Sequence, residues 1–303
     1  MHKDKDDLRL PFHLFRRAPR PRRPTRMNPH DYCQDKAAKS GSSFYYSFMF
    51  LPPERRQAIT ALYAFCREVD DVVDECKDVS LAQTKLQWWR QEVERVHGGE
   101  PTHPVGHALK DVCSRFSMPR EQLLEIIDGM AMDLSQTRYL DFKGLQLYCY
   151  RVASVVGLLA AEIFGYKDRQ TLKYAHDLGM AFQLTNIIRD VGEDARRGRI
   201  YLPIDDLQRF GVPAKDILEA RYSDGFRELM QFQAQRAEQF YDQAFAQLPA
   251  GDRKSQRPGL IMAAIYRALL KEIAADGFKV LDRRTSLTPL RKVWLAGWTW
   301  MKG

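Results

Sequence analysis

From about Asp31 onward, apolar residues recur at three- and four-residue spacing, as in Ile59, Leu62, Tyr63, Phe65, Val69, Val72 and Val73. Segments 122–132 and 226–245 follow the same rhythm. This is the period of a helix with one buried face, and no run alternates as a half-buried strand does. The pattern stops at Pro52-Pro53, Gly98-Gly99, Pro119, Gly165, Gly198, Pro203, Pro213, Pro249–Gly251 and Pro289. Several of these prolines stand where a helix would start, at a position that needs no N–H donor. With no internal repeat or low-complexity linker after residue 26, the chain reads as one all-α domain.

Charge adds a boundary. Residues 1–26 hold nine Lys/Arg and three Asp/Glu, so they carry +6 of the total +8, and the body is nearly neutral. The basic excess therefore belongs to an Arg/Pro-rich segment without helical periodicity. It reads as a disordered leader (1–26) before a domain at 27–303, with a membrane or nucleic-acid arm as the alternative. A neutral body gives no reason to expect a nucleic-acid partner. The longest uncharged run, Ser40–Pro53, has 14 residues; a spanning helix needs about 18 or more, so none is expected. Five scattered cysteines without a CxxC pair suit reduced thiols in the cytoplasm, not a disulfide framework or zinc site.

The chemistry is concentrated in two segments. In Tyr63-Ala-Phe-Cys-Arg67-Glu-Val-Asp70-Asp71-Val-Val-Asp74, helical spacing puts residues 63, 67, 70 and 74 on one face and Asp71 partly round the cylinder. In Gln183-Leu-Thr-Asn186-Ile-Ile-Arg189-Asp190-Val-Gly-Glu193-Asp194, residues 183, 186, 190 and 194 share a face and Arg189 adjoins it. Carboxylates are almost never buried without a partner, and like charges at i,i+4 weaken a helix. One such stripe would read as a solvated helix face. Two, each mixed with arginine and amide side chains, suit a site where Mg²⁺ and a diphosphate supply the missing charges.

These segments, with Ser40-Gly-Ser-Ser-Phe44-Tyr-Tyr, Tyr148-Cys-Tyr-Arg-Val-Ala-Ser-Val-Val-Gly157 and Gly198-Arg-Ile-Tyr201-Leu-Pro203, resemble the squalene/phytoene synthase family over about nine-tenths of the chain. The last of them and Ser286–Lys292 look closest to bacterial presqualene diphosphate synthases of hopanoid pathways. The resemblance implies a trans-isoprenoid-synthase bundle around a central cavity, with the two stripes facing across its mouth. It implies that Asp70, Asp74, Asn186, Asp190 and Asp194 hold Mg²⁺, with Mn²⁺ as a substitute. Ser40, Gly41, Ser42, Ser43, Phe44, Tyr63, Arg67, Gln183, Arg189 and Tyr266 would contact diphosphate or the cavity near it, with Arg199, Tyr201 and Arg284 as weaker candidates. Asp70, Asp190 and Tyr148 would be catalytic, Tyr148 near the carbocation or as a proton acceptor. Two farnesyl diphosphates would give presqualene diphosphate without NADPH. Squalene formation with NADPH, phytoene from two geranylgeranyl diphosphates, and a non-catalytic helical assembly factor are the rivals.

Other features have plainer readings beside them. Tyr148 and Tyr150 also read as core aromatics, and a Gly is expected where Ser154 stands. Glu94-x-x-His97 and Glu100-x-x-His103 have di-iron spacing, but the second lies in a Gly/Pro-rich stretch and cannot pair across a bundle. Val293, Trp294, Leu295, Trp298 and Trp300, with Arg284, Arg291, Lys292 and Lys302, read either as packing or as a peripheral anchor at the inner membrane. Downstream pathway enzymes are further expected partners.

Overall fold

The structure, a computed structural model, describes residues 28–39, 47–48, 50–76 and 78–302. The leader, its boundary at residue 27, and Ser40, Gly41, Ser42, Ser43 and Phe44 lie outside the described residues. Helix α1 (Pro29–Lys39) is followed by α2 (Pro53–Glu75), α3 (Val79–Gly98), α4 (Pro104–Cys113) and α5 (Arg120–Met132). Next come α6 (Phe142–Cys149), a π turn (Tyr150–Ser154), α7 (Val155–Phe164) and α8 (Gln170–Arg196). Short α9 (Ile204–Arg209) and α10 (Ala214–Leu218) lead to α11 (Asp224–Gln247), α12 (Arg257–Ala275) and α13 (Pro289–Lys302). The expected breaks hold: Pro53 and Pro104 open helices at positions that need no donor, and Asp78, Asp141 and Ser223 cap theirs by accepting backbone N–H bonds. Among the described residues the only strand-like pairing is one bridge, Arg138–Ile200.

Two apolar clusters fill the bundle. One joins α2, α3, α4, α5 and α7 through Leu62, Phe65, Leu86, Leu109 and Ile126. The other joins α8, α11 and α12 through Tyr174, Leu178, Leu229, Tyr241 and Ile261. The segment Phe142–Phe164 touches both. It is 23 residues long with mean hydropathy 1.5, long and apolar enough to cross a membrane. The uncharged-run criterion missed it because Lys143, Arg151 and Glu162 punctuate it. It packs inside the bundle instead, where it and α8 cross at two glycines. A Cβ on Gly179 would stand 2.7 Å from Ser154 Cα, and one on Gly157 would stand 2.6 Å from the Ala175 carbonyl oxygen.

Ser154 is fully buried at this crossing and donates to the His176 carbonyl at 2.8 Å. It is not among the residues lining the cavity, so its hydroxyl ties α8 to the π turn and does not reshape the cavity wall. The di-iron spacing is ordinary structure: His97 bonds the Val93 and Met118 carbonyls, and the His103 ring accepts from Val105 N.

Candidate active site

Between the two clusters lies an apolar cavity of about 200 Å³ walled by α2, α7, α8 and α12. Tyr63, Gln183 and Asn186 stand at one end, and Phe164, Tyr174 and Pro258 at the other. Tyr174 and Asn186 are three helical turns apart on α8, about 18 Å along the axis. The cavity therefore suits a long hydrocarbon with a polar head.

Just beyond the polar end the two stripes meet. Arg197, at the C-terminus of α8, reaches Asp74 of α2 at 2.8 Å, and Arg199 reaches the other oxygen of Asp74 at 3.3 Å. Within α2, Arg67 donates to Asp70 at 2.6 Å and Asp71 at 2.7 Å. Asp71 turns away toward α1, where Lys36 holds it at 2.8 Å, as its position round the cylinder implied. On α8, Arg189 forks onto Asp190 and also hydrogen-bonds Tyr266. Arg284 adds a second guanidinium to Asp190 at 2.8 Å and reaches Glu193 at 3.4 Å. Gln183 accepts from Asn186 Nδ2 at 3.3 Å.

The sequence reading omitted Asp133 and Arg197 and gave Lys292 a place at the membrane instead of at the site. Asp133, just past the end of α5, is buried and accepts from Tyr148 at 3.0 Å and Tyr201 at 2.8 Å. The two rings stack, with centroids 5.1 Å apart. Arg197 was passed over in the Arg196-Arg197-Gly198-Arg199 run. Lys292, on the first turn of α13, lies close enough to Arg189 and Arg284 that burial and these two cations hold its ammonium below the ordinary value. A carboxylate next to the apolar stretch 129–132 was the one available signal for Asp133.

Burial decides the electrostatics. It pushes the Asp194 carboxyl up to about 7, helped by Asp190. Burial also lifts Asp70 to about 6, against Arg67 and with Asp74 adding to the rise. Asp133 reaches about 6 for the same first reason, although Arg199 and the two tyrosines oppose it. Asp190 goes the other way: burial alone would raise it, but Arg189 and Arg284 bring it below the usual range. Burial, then Asp133, holds the Tyr148 phenol far above its ordinary pKa, so it is a proton donor at neutral pH.

This donor set fits a hard divalent cation. Arginines hold most of the carboxylates, and among the described residues no three His, Cys, Asp or Glu side chains form a ready cation cage. Yet Asp70 and Asp194 remain under-compensated, and the buried Asn186 Oδ1, on the face of Asp190 and Asp194, accepts no hydrogen bond among the described residues. Oxygen-only donors with unsatisfied negative charge are what Mg²⁺ takes.

The same acids set a pH dependence. An unfolded aspartate titrates near 3.9, so between about pH 4 and 7 the native state holds protons that the unfolded chain has lost. The burial cost is therefore felt at pH 8 and relieved as pH falls through about 7 and 6. The gain in melting temperature of metal-free protein from pH 8 to pH 5.5 should be larger in wild type than in Asp194→Asn, and thermal melts of both proteins across pH 5.5–8 check this. Equal slopes would show that Asp194 is not raised.

The squalene/phytoene synthase profile matches residues 37–291. A phytoene synthase of Arthrospira platensis is 37% identical over 282 residues, covering 89% of this chain and 91% of that protein. The chloroplastic phytoene synthase 2 of Solanum lycopersicum is 37% identical over 270 residues, 87% of each chain. A dehydrosqualene synthase crystallised in complex with ligand superposes with a TM-score of 0.80 at 30% identity, covering 90% of this chain and 96% of its own. The squalene synthase HpnC of Alicyclobacillus acidocaldarius gives 0.74 at 28% identity, covering 82% and 94%. The helical bundle described above is the isoprenoid-synthase fold of these proteins.

Proposed function

The chain belongs to the squalene/phytoene synthase family, whose enzymes condense prenyl diphosphates head to head, and we propose that it joins two farnesyl diphosphates into presqualene diphosphate. The observation that supports condensation of prenyl diphosphates is the pair of acidic helix faces linked by arginines at the mouth of an apolar cavity; farnesyl as the chain rests on the likeness of segments 198–203 and 286–292 to presqualene diphosphate synthases.

Mg²⁺, held by Asp70, Asp74, Asn186, Asp190 and Asp194, would supply the positive charge that lets a diphosphate depart. Arg67, Arg189, Arg199 and Arg284 exchange their present carboxylate partners for diphosphate oxygens, Lys292 adds a further cation beside Arg189 and Arg284, and Tyr63, Gln183 and Tyr266 line the approach. The C1–O bond of one farnesyl diphosphate breaks, its electron pair leaving with diphosphate. The C2=C3 pair of the second farnesyl attacks C1. Loss of a proton then closes the cyclopropane, so the products are presqualene diphosphate, diphosphate and a proton. Apolar walls such as Leu62, Val156 and Leu178 keep water from the cation. Tyr148, neutral and hydrogen-bonded to Asp133, packs against Tyr201 with the polar groups near the mouth and is not among the residues lining the cavity. Five free thiols, two of them buried, support a reducing cytoplasmic setting.

A second reading, phytoene from two geranylgeranyl diphosphates, is favoured by the names of the relatives that are 37% identical. Incubation of the purified chain with each diphosphate, with and without NADPH, separates the two. The expected result is presqualene diphosphate from farnesyl diphosphate, unchanged by NADPH. A C40 product from geranylgeranyl diphosphate at higher kcat/KM, or squalene appearing only with NADPH, would overturn the assignment.

A further inference from the structure

Helix α13 has two apolar faces, and the bundle uses only one. Ala296 is fully buried, and Leu295 and Trp300 pack against the core. On the opposite side, Leu290 (84% exposed), Trp294 (61%), Trp298 (45%) and Met301 (73%), with Val293 between them, form an i, i+4, i+8, i+11 stripe in solvent. Trp294 and Trp298 stack with centroids 6.0 Å apart and planes 9° apart, so the stripe is an ordered surface. This sorts the residues expected to act at a membrane: Leu295 faces inward, Trp300 packs on the core with an edge on the neighbouring surface depression, Arg284 and Lys292 face the acidic mouth, and Leu290 and Met301 join the outer face.

We infer that this outer face of α13 docks the enzyme on an anionic phospholipid surface. Charge selects the occupant. Lys302 lies over the Trp298 ring at 4.4 Å and Arg257 over Trp300 at 4.8 Å. Trp300 borders an open depression of about 540 Å³ that also carries Arg55, Lys167 and Lys254. Nearby acids are engaged: Glu272 pairs with Arg291, and Asp252 accepts from the Lys167 and Asp168 backbone and the Thr171 hydroxyl. A basic, aromatic-edged surface repels a second copy of itself and repels residues 1–26, which carry +6. It attracts anionic headgroups while tryptophan rings settle at their level. The cavity points the same way, since Phe164 and Pro258, at its inner end, also wall the depression under Trp300. Docking there brings the hydrocarbon end of the cavity to the membrane side. None of this depends on which prenyl chain the enzyme takes.

The test is sedimentation of the full chain with vesicles of equimolar phosphatidylglycerol and phosphatidylcholine, against phosphatidylcholine alone. Wild type should pellet with the anionic vesicles only, less so as salt rises. Trp294→Ser/Trp298→Ser should weaken binding at least tenfold, equivalent to about 1.4 kcal/mol, with turnover on detergent-dispersed substrate unchanged. In wild type, brominated acyl chains should quench tryptophan emission, a readout that needs no variant. Equal binding by variant and wild type, no preference for phosphatidylglycerol, or no quenching would overturn the inference. So would a wild-type dimer that the double substitution splits and that ignores vesicles. Because turnover is read separately, failure here leaves the proposed reaction intact, and failure of the reaction leaves the docking result intact.

Discussion

Asp190→Asn and Asp70→Asn are each expected to lower turnover at least about a thousandfold; Asp70→Asn should leave the melting temperature equal or slightly higher, whereas Asp190→Asn should lower it. The two acids share the loss of turnover and differ in what their charge does for the fold. Asp70 is half-buried and under-compensated, its carboxyl lifted to about 6. The apo fold therefore gains nothing from its charge, and an amide relieves repulsion by Asp74, one turn away. Asp190 is anchored by two guanidiniums, so its amide gives up ion pairs. The Arg284 pair is half exposed, a class usually contributing no more than about 1 kcal/mol. For catalysis both acids matter far more, because they present negative oxygen to a cation whose charge is needed only as diphosphate departs. Loss of one well-placed electrostatic group typically costs about 10²–10³ in turnover, and loss of a cation ligand also weakens substrate diphosphate binding. Turnover at saturating Mg²⁺, set beside thermal melts, checks the prediction. Near-wild-type turnover in either variant would remove that residue from the site.

The helical architecture was legible because the breaks are made by residues that act locally. Pro53, Pro119, Pro203 and Pro213 fix where helices start, and Gly165, at φ +81°, fixes where α7 stops. The two stripes were legible because helical spacing is a property of the segment itself. Asp133 was not. It belongs to neither stripe, and its role arises only when α5 ends beside Tyr148 and Tyr201, 15 and 68 residues away. Arg197 was hidden, and Lys292 was assigned to the membrane instead of the site, for the same reason: a basic residue beside other basic residues gains meaning from what lies across the gap. The division of α13 was hidden in a different way. Its sequence is apolar on both sides, so periodicity indicates a helix without saying which face the bundle takes. Ser154 shows the limit most plainly, since its hydroxyl bonds a carbonyl on α8, and no local pattern reports which side of a π turn a side chain leaves from.

That crossing carries the second large effect. Gly179→Leu is expected to destabilise the protein by about 3 kcal/mol, the upper part of the usual range for overpacking. The atoms a Cβ would meet are the Ala153 carbonyl oxygen and Ser154 Cα, both at 2.7 Å. They are backbone, so no change of rotamer makes room, and α8 must move away from the π turn. The intrinsic helix preference of Leu over Gly, under about 1 kcal/mol, offsets only part of this. For a chain of this size the melting temperature should fall by roughly 6–12 °C. Function should suffer beyond the loss of folded protein, because Gly179 lines the cavity one turn before Gln183 and two before Asn186. Lifting α8 would also pull Asp190 and Asp194 from Asp70 and Asp74, so turnover per folded molecule should drop with stability. Gly98→Ala is the matched control, since a Cβ there meets nothing within 4 Å; it should leave both quantities unchanged within about 0.5 kcal/mol. If Gly179→Leu melts with the wild type, the close approach of the two helices is wrong, and so is the register that sets the second stripe opposite the first.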